Sequence, residues 1–568
     1  MPDPTPASVL AETPFSFYPP HLRRLFTDRA RELDILRDAT DQLAAGRPKH
    51  LALFGLRRIG KTLLLLEHAI HMVIGGRQDV RPVYLDLEEL ATSPEFFSRR
   101  YVGLVTYWAL TGAQADRETF LTPMGLLSGP AAGLRTVAQT VAALDAARDD
   151  PAAQMSLAFD FPEKLAAELD IRLLLLLDEF TELAVLANYP AVRRPLHLFR
   201  AAMQRHGRIG YVIAASAVTA MQSLIQDGSS PLFLQFQLLE IPPFPLDATA
   251  QLTERILGYT PPPGVVRHLQ SLTGGHPFYI HATLSRLDSL VEPDALSPDA
   301  IAQAFLSATL SRNGPIYNYC RYLYDISLSR ARGYGILKAI LQTLAIDEGL
   351  ALTEIARRIQ KGPAPTRTYL RALQEVDLVL EQDGEYFYRD RVLRYWVAAL
   401  IRGIEIDIDA PRSSLTPLLA ELEAQQAHLS TELGRAQESR IRELLRSFSG
   451  QTIDGALVGL EGLLVLPSFS PPGAVTAYRS PDGQTELDAL AVAADGLRWA
   501  VEIKWRSKAA GDKELVALST KAHAVDARAW CISRSGFTSA ARAYAAAHGV
   551  LLSTRSDLDQ IARILGQY

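Results

Sequence analysis

The stretch that most limits how this chain can fold is Gly55-Leu-Arg-Arg-Ile-Gly-Lys-Thr62, which follows the apolar run His50-Leu-Ala-Leu-Phe54 and precedes Leu63-Leu-Leu-Leu-Glu-His-Ala. It satisfies G-x-x-x-x-G-K-[ST] with a strand before it and a helix after it, the context that makes this pattern specific. Gly55 and Gly60 let the backbone curl so that its N–H groups face a β-phosphate, assisted by the positive end of the helix opening near Lys61. Lys61 is then expected to reach the β and γ oxygens, and the Thr62 hydroxyl to ligate Mg²⁺. Arg58 lies inside the loop beside Arg57, where a cation either stabilises phosphate charge or pairs with an acid on a neighbouring domain.

Such a loop needs an acidic partner at a second strand end. Ile171-Arg-Leu-Leu-Leu-Leu-Leu-Asp178-Glu179 is a continuous apolar run closing on two acids, the pattern of a strand covered on both faces in a parallel sheet. Asp178 is placed to hold the metal through water and Glu179 to orient or deprotonate an attacking water. Tyr211-Val-Ile-Ala-Ala-Ser216 reads as the next strand, with Ser216 a candidate γ-phosphate sensor or an ordinary strand-to-turn serine. Strands alternating with helices predict a doubly wound P-loop NTPase fold over 21–245, with a helical surface insertion at about 111–154. A helical lid is expected over 246–330, interrupted by Thr273-Gly-Gly-His-Pro277. The Pro-rich residues 1–20 read as a disordered lead without signal-peptide character.

Residues 331–405 combine three helical stretches with the hairpin signal Leu378-Val-Leu, Gln382-Asp-Gly384 and Tyr386-Phe-Tyr, which is a winged helix. Thr366 to Gln374 is placed as its recognition helix, with Lys361, Arg367 and Arg371 able to meet phosphates. The nine basic and nine acidic residues across 338–394 are not the footprint of an obvious DNA reader, so a nucleotide-gated lid is the competing role.

Phe26-Thr-Asp-Arg29-Ala-Arg-Glu32-Leu33, the Gly55–Thr62 loop, Val83-Tyr-Leu-Asp86, Asp178-Glu179 and Gly274-Gly-His-Pro277 together resemble the archaeal-type ATPases of the STAND class of AAA-related NTPases. The resemblance covers residues 20 to about 400. It implies ATP as the nucleotide, a winged helix closing over the site, and Pro277 beside the adenine. Where many members of the wider class carry an Arg after the fourth strand, this chain has Ala215-Ser216-Ala217.

A polar linker over 406–414 leads to a final mixed α/β domain, 415–568. Thr485-Glu-Leu-Asp488-Ala-Leu-Ala-Val alternates as a strand, Asp495-Gly496 reads as a two-residue turn, and Leu497-Arg-Trp-Ala-Val-Glu502-Ile-Lys504 returns. In that hairpin Asp488 and Glu502 come to the same end, and Glu502 and Lys504 share a face. Paired carboxylates bind Mg²⁺, and a nearby lysine activates water or offsets charge on a phosphate under attack. The pattern resembles the PD-(D/E)xK nucleases, which implies Asp488, Glu502 and Lys504 as catalytic residues and Glu438 as the acid on the leading helix. The tail from Gly536 to Leu552 resembles Mrr-like restriction endonucleases, and the whole resembles archaeal ATPase–nuclease fusions. Lys508, Lys513 and Lys521 are candidate phosphate contacts.

The expected fold class is therefore multidomain α/β: a P-loop NTPase with a parallel sheet, a helical lid, a winged helix and a C-terminal α/β restriction-endonuclease-like domain. The expected partners are ATP, Mg²⁺ and DNA, with a homo-oligomer open and no membrane. A formal charge of −5 argues against a polyanion-coating protein, and two distant cysteines argue against a disulfide framework and for a reducing cytoplasm. Two functions follow: an ATP-dependent nuclease, or a signalling ATPase with an inert nuclease-like tail. His68, His71, His276 and His281 read as packing or surface residues.

Overall fold

The computed structural model describes residues 17–287, 296–330, 334–382, 384–404, 441–442, 444–469, 475–480, 486–493, 495–505 and 509–565, without the side chains of 326, 327, 329, 330, 479 and 559. Glu438, Lys508 and the linker lie outside the described residues. The chain divides into two compact units, Met1–Leu415 and Thr416–Tyr568.

In the first unit five strands form one parallel sheet: β1 (Leu51–Phe54), β2 (Val80–Asp86), β3 (Arg172–Asp178), β4 (Ile209–Ala215) and β5 (Gln237–Glu240), in the order β2-β3-β4-β1-β5. The apolar run of β3 is buried along Leu173–Leu177, as a strand covered on both faces demands, each leucine contributing about 2 kcal/mol of transfer free energy. The loop after β1 feeds the helix Lys61–Ile74, whose Leu64, Leu65 and Ala69 are buried. Because β4 lies between β1 and β3, the carboxyl ends of three neighbouring strands deliver the loop, Ser216 and Asp178-Glu179 to one edge of the sheet, where ligands bind in open α/β folds.

The segment expected as a surface insertion is more than that. Phe120, Leu126, Val137, Val141 and Leu144 are buried in the same core as the sheet, because the amphipathic helix Arg135–Ala146 packs its apolar stripe inward. Beyond β5, the helices Leu246–Leu257, Pro263–Thr273, Pro277–Leu284, Pro298–Leu310 and Pro315–Arg330 form a helical block. Three helices follow, Tyr334–Ile346, Leu352–Arg358 and Pro363–Glu375, with a small sheet of β6 (Leu350–Ala351, between the first two helices), β7 (Val379–Gln382) and β8 (Glu385–Tyr388), ordered β6-β8-β7. Asp377, in the left-handed region at φ 59°, ties this module to the segment that follows β4. Its Oδ1 accepts from the backbone N–H (3.0 Å) and hydroxyl (2.7 Å) of Thr219, whose Oγ1 also accepts from Arg389 Nη2 (3.2 Å).

The second unit carries β9 (Thr452–Asp454) paired with β10 (Leu463–Val465), and a five-stranded sheet of β11 (Val475–Arg479), β12 (Glu486–Val492), β13 (Arg498–Lys504), β14 (Arg528–Ser533) and β15 (Leu551–Thr554) in sequential order. The first three strands are antiparallel and the last two join in parallel. One face packs Trp499 against Trp530 (5.5 Å, edge to face); the other covers Ala500 and Cys531 with the helices Asp512–Ala524 and Ser539–His548.

Candidate functional sites

The Gly55–Thr62 loop is built as its glycines require. Gly60 has φ 103°, strained for any other residue, and a Cβ on Gly55 would sit 2.7 Å from Ile241 O. Lys61 is buried, and its ammonium donates to the carbonyls of Gly55 (2.9 Å) and Leu56 (3.0 Å). Burial lowers its pKa to about 8. Thr62 Oγ1 donates to Asp178 Oδ2 (2.6 Å), and Tyr84 OH donates to the same oxygen (3.2 Å). Burial pushes the Asp178 carboxyl up to about 6, despite the Thr62 hydrogen bond acting the other way.

Glu179 adopts the left-handed conformation (φ 46°), which turns it away from the strand direction toward β4. There its Oε2 accepts from the backbone N–H of Ser216 (3.2 Å), and its Oε1 accepts from the Ser216 hydroxyl. Ser216 therefore faces the acid read from the sequence as the water-activating group. Arg58, also left-handed (φ 60°), lays its guanidinium over the rings of Phe278 (4.5 Å) and Tyr319 (4.9 Å). It takes up cation–π contact with the helical block. His276 is buried and donates from Nε2 to Arg57 O (3.0 Å), burial holding its pKa down at about 3. It is thus a packing residue with a second task, tying the loop to the Gly274–Pro277 turn.

A cavity of about 610 Å³ joins these parts, and its lining includes the polar or loop residues Arg58, Gly60, Lys61, Thr62, Glu179 and Ser216 and the apolar Phe26, Phe244, Leu252 and Pro277. A lining that is partly polar and partly apolar, in that volume, suits a ligand with a phosphate chain and a flat ring. The donor set also fits a hard cation: a hydroxyl and a carboxylate oxygen already meet at Thr62 and Asp178. Tyr84 was not legible as a site residue, because only the non-local pairing of β2 with β3 (Asp86 beside Asp178) brings it to Asp178.

In the second unit the paired register of β12 and β13 runs from Val492 with Arg498 to Ala489 with Val501, and continued by one step it would align Asp488 with Glu502. The turn differs from the two-residue reading. Ala493 N–H donates to Leu497 O (2.8 Å), so three residues intervene. With a two-residue turn at Asp495-Gly496, the same continuation would align Asp488 with Ile503; the longer loop shifts that register to Glu502. Asp488 Oδ2 accepts from Ile503 N–H (2.6 Å), and Asp488 O accepts from Arg442 Nη1 (2.8 Å). Glu502 Oε1 accepts from Lys504 Nζ (2.7 Å), and Oε2 accepts from Lys521 Nζ (3.0 Å). Burial alone would lower the Lys504 pKa; the hydrogen bond and charge of Glu502 outweigh it and raise it.

Among the described residues no group of three or more His, Cys, Asp or Glu is arranged to hold a metal ion. Asp488 and Glu502 are a two-carboxylate set, chemically suited to a hard divalent cation. Lys513 lies on the helix Asp512–Ala524 that also supplies Lys521. No helix among the described residues is long and apolar enough to cross a membrane.

Residues 468–562 match the restriction endonuclease family Mrr_cat, and this stretch contains Asp488, Glu502 and Lys504. No curated protein matches the chain. Among solved structures it is similar to the Walker-type ATPase of Pyrococcus abyssi, at 16% identity over 66% of this chain and 96% of that one, TM-score 0.46. It is also similar to the Aeropyrum pernix ORC2 protein in its ADPNP–ADP complexes, at 18% identity over 66% and 95%, TM-score 0.40. A third is Cdc6p from Pyrobaculum aerophilum, at 14% identity over 69% and 98%, TM-score 0.32. The chain thus carries an Mrr-type restriction endonuclease domain in its C-terminal unit and a parallel-sheet P-loop fold in its N-terminal unit.

Proposed function

We propose that this protein is an ATP-hydrolysing switch or motor coupled to a Mg²⁺-dependent nuclease that cuts DNA, working in the cytoplasm in genome defence. Its working parts are an ATPase domain (21–245), a helical lid (246–330), a winged helix (331–405) and a nuclease domain (415–568). The observation that carries the reading is the grouping of Asp488, Glu502 and Lys504 on two paired strands of a restriction endonuclease domain, on the same chain as a complete phosphate loop.

Mg²⁺ held by Thr62 and Asp178 at the first site, and by Asp488 and Glu502 at the second, supplies positive charge against phosphate oxygens and lowers the pKa of a bound water. Lys61 exchanges the carbonyls of Gly55 and Leu56 for the β and γ oxygens of ATP. Phe26, Phe244 and Pro277 take the adenine. Glu179, aimed by Ser216, accepts a proton from the attacking water. Thr219, three residues beyond Ser216, carries a change at that strand end to Asp377 and so to the winged helix. In the nuclease, Lys504 offsets charge on the phosphate as water attacks it.

Plasmid cleavage with Mg²⁺ or Mn²⁺, with and without ATP, tests the proposal. Wild type should cut, and Asp488→Ala and Lys504→Ala should not. No cutting by wild type on single or double strands under any of these conditions overturns the nuclease half. A second reading, a signalling ATPase with an inert tail, is favoured by one observation: both oxygens of Glu502 already accept from lysines. The same assay decides between them.

A further inference from the structure

Glu502 is held on both of its carboxylate oxygens. Its side chain is 14% exposed, and its two oxygens take one ammonium each, from a neighbour on its own strand and from a helix. Lys504 belongs to the motif that the strand presents. Lys521 arrives separately: Leu515, Leu518 and Ala522 bury one stripe of the helix Asp512–Ala524 against β13 and β14, and Lys521 lies at the margin of that stripe. Helix packing, not strand register, therefore fixes the second ammonium on Glu502.

The charges have a consequence for ligands. Asp488 and Glu502 supply two negative charges, and Lys504 and Lys521 supply two positive ones beside them. The two ammoniums offset carboxylate charge that would draw a divalent cation here, and the cation must also share or take an oxygen already hydrogen-bonded to an ammonium. A phosphodiester brings a negative charge that a displaced ammonium can follow. Resting on the nuclease reading above, we propose that Lys521 is a tethered counter-ion in the metal position of Glu502. It holds that position until a DNA phosphate draws it off, so that divalent cation and DNA bind cooperatively. Lys521 is in this sense a positioning residue that moves from the carboxylate to the phosphate. Cooperativity of this kind is a coupling free energy, and it is reciprocal: DNA tightens metal binding by the same factor as metal tightens DNA binding.

The test is calorimetric titration of Mn²⁺ into the full-length protein, alone and with a short DNA duplex, for wild type, Lys521→Met and Lys521→Arg. Lys521→Met keeps the length of the side chain and removes its charge. Without DNA it should bind Mn²⁺ roughly tenfold more tightly than wild type, the scale of one charge-assisted hydrogen bond. The gain from adding DNA should shrink by a similar factor. Lys521→Arg should behave like wild type. The phosphate-loop site is common to all three proteins and cancels in the comparison. A merely structural role for Lys521 would leave metal affinity equal or weaker in Lys521→Met, and that result overturns the inference even where wild type cuts DNA. Absence of any difference in heat attributable to the second site, together with absence of cleavage, overturns the nuclease reading itself.

Discussion

Thr62 and Asp178, 116 residues apart, meet through a 2.6 Å hydrogen bond from hydroxyl to carboxylate at the carboxyl edge of the parallel sheet. The pair joins the end of the phosphate loop to the acid end of β3, and both groups are oxygen ligands of the kind Mg²⁺ prefers. Thr62→Val keeps the shape and removes the oxygen. It is expected to weaken MgATP binding roughly tenfold, the scale of one lost interaction with a charged group, and to change metal-free ATP binding much less. Calorimetry with and without Mg²⁺ checks this; equal losses in both would show that the hydroxyl does not serve the metal.

Ser216 gives a sharper division between two roles. As a γ-phosphate sensor it would contribute to nucleotide affinity, whereas its observed position makes it the group that aims Glu179. Ser216→Ala is therefore expected to lower kcat for ATP hydrolysis roughly tenfold with KM little changed, since orientation of a general base is realised in the chemical step. Glu179→Gln should go further and trap bound ATP. A rise in KM at unchanged kcat would return Ser216 to the sensor role.

What could be read in advance followed from local pattern, and what could not followed from pairing. Gly55 to Thr62 announces itself because the strand, the loop and the helix are contiguous in the sequence. Asp178-Glu179 is visible because a fully apolar strand ends there. Tyr84 reaches Asp178 only through the pairing of β2 with β3, whose partners lie far apart in the chain. Asp488 and Glu502 were expected together, yet their alignment depends on a turn one residue longer than the Asp495-Gly496 signal suggests. Lys521 was legible as a cation near the site but not as a partner of Glu502, because nothing in a linear spacing tells where a packed helix sets one of its border residues.

The buried histidines of the first unit give it an acid limit. Burial lowers His276 and His68 to about 3 and His50 and His206 to about 4. Each is neutral in both folded and unfolded chains above the ordinary histidine range. As pH falls below about 6.5 the unfolded chain takes up protons that the folded one refuses, so stability is lost progressively toward each folded pKa. Every such group contributes a slope of up to about 1.4 kcal/mol per pH unit. Asp178, pushed up to about 6 by burial, works in the opposite sense between the ordinary carboxylate range and 6. Comparison with a variant isolates one histidine: His276→Phe, which keeps a ring beside Tyr279, should flatten the dependence between pH 6.5 and 5 by up to that amount in urea unfolding. An unchanged slope would mean that His276 becomes protonated without leaving its place.

Glu502 offers the test that separates charge balance from packing in the second unit. Glu502→Gln leaves Lys504 and Lys521 facing an amide with one acceptor oxygen and two donors of its own, so one ammonium loses its partner and the two repel. With the three side chains mostly but not fully buried, the loss should be about 1 to 2 kcal/mol, below that of breaking a fully buried pair. Lys521→Met alone should cost less, because Lys504 still pairs with Glu502. Adding Lys521→Met to Glu502→Gln should restore stability, since the second mutation removes the charge that the first left unbalanced. The double-mutant cycle, read from unfolding of the full-length chain, is therefore expected to give a coupling of at least about 1 kcal/mol. Simple additivity would show that the two lysines are not held at Glu502 by its charge, and the ammonium groups would then have no reason to resist a metal ion there.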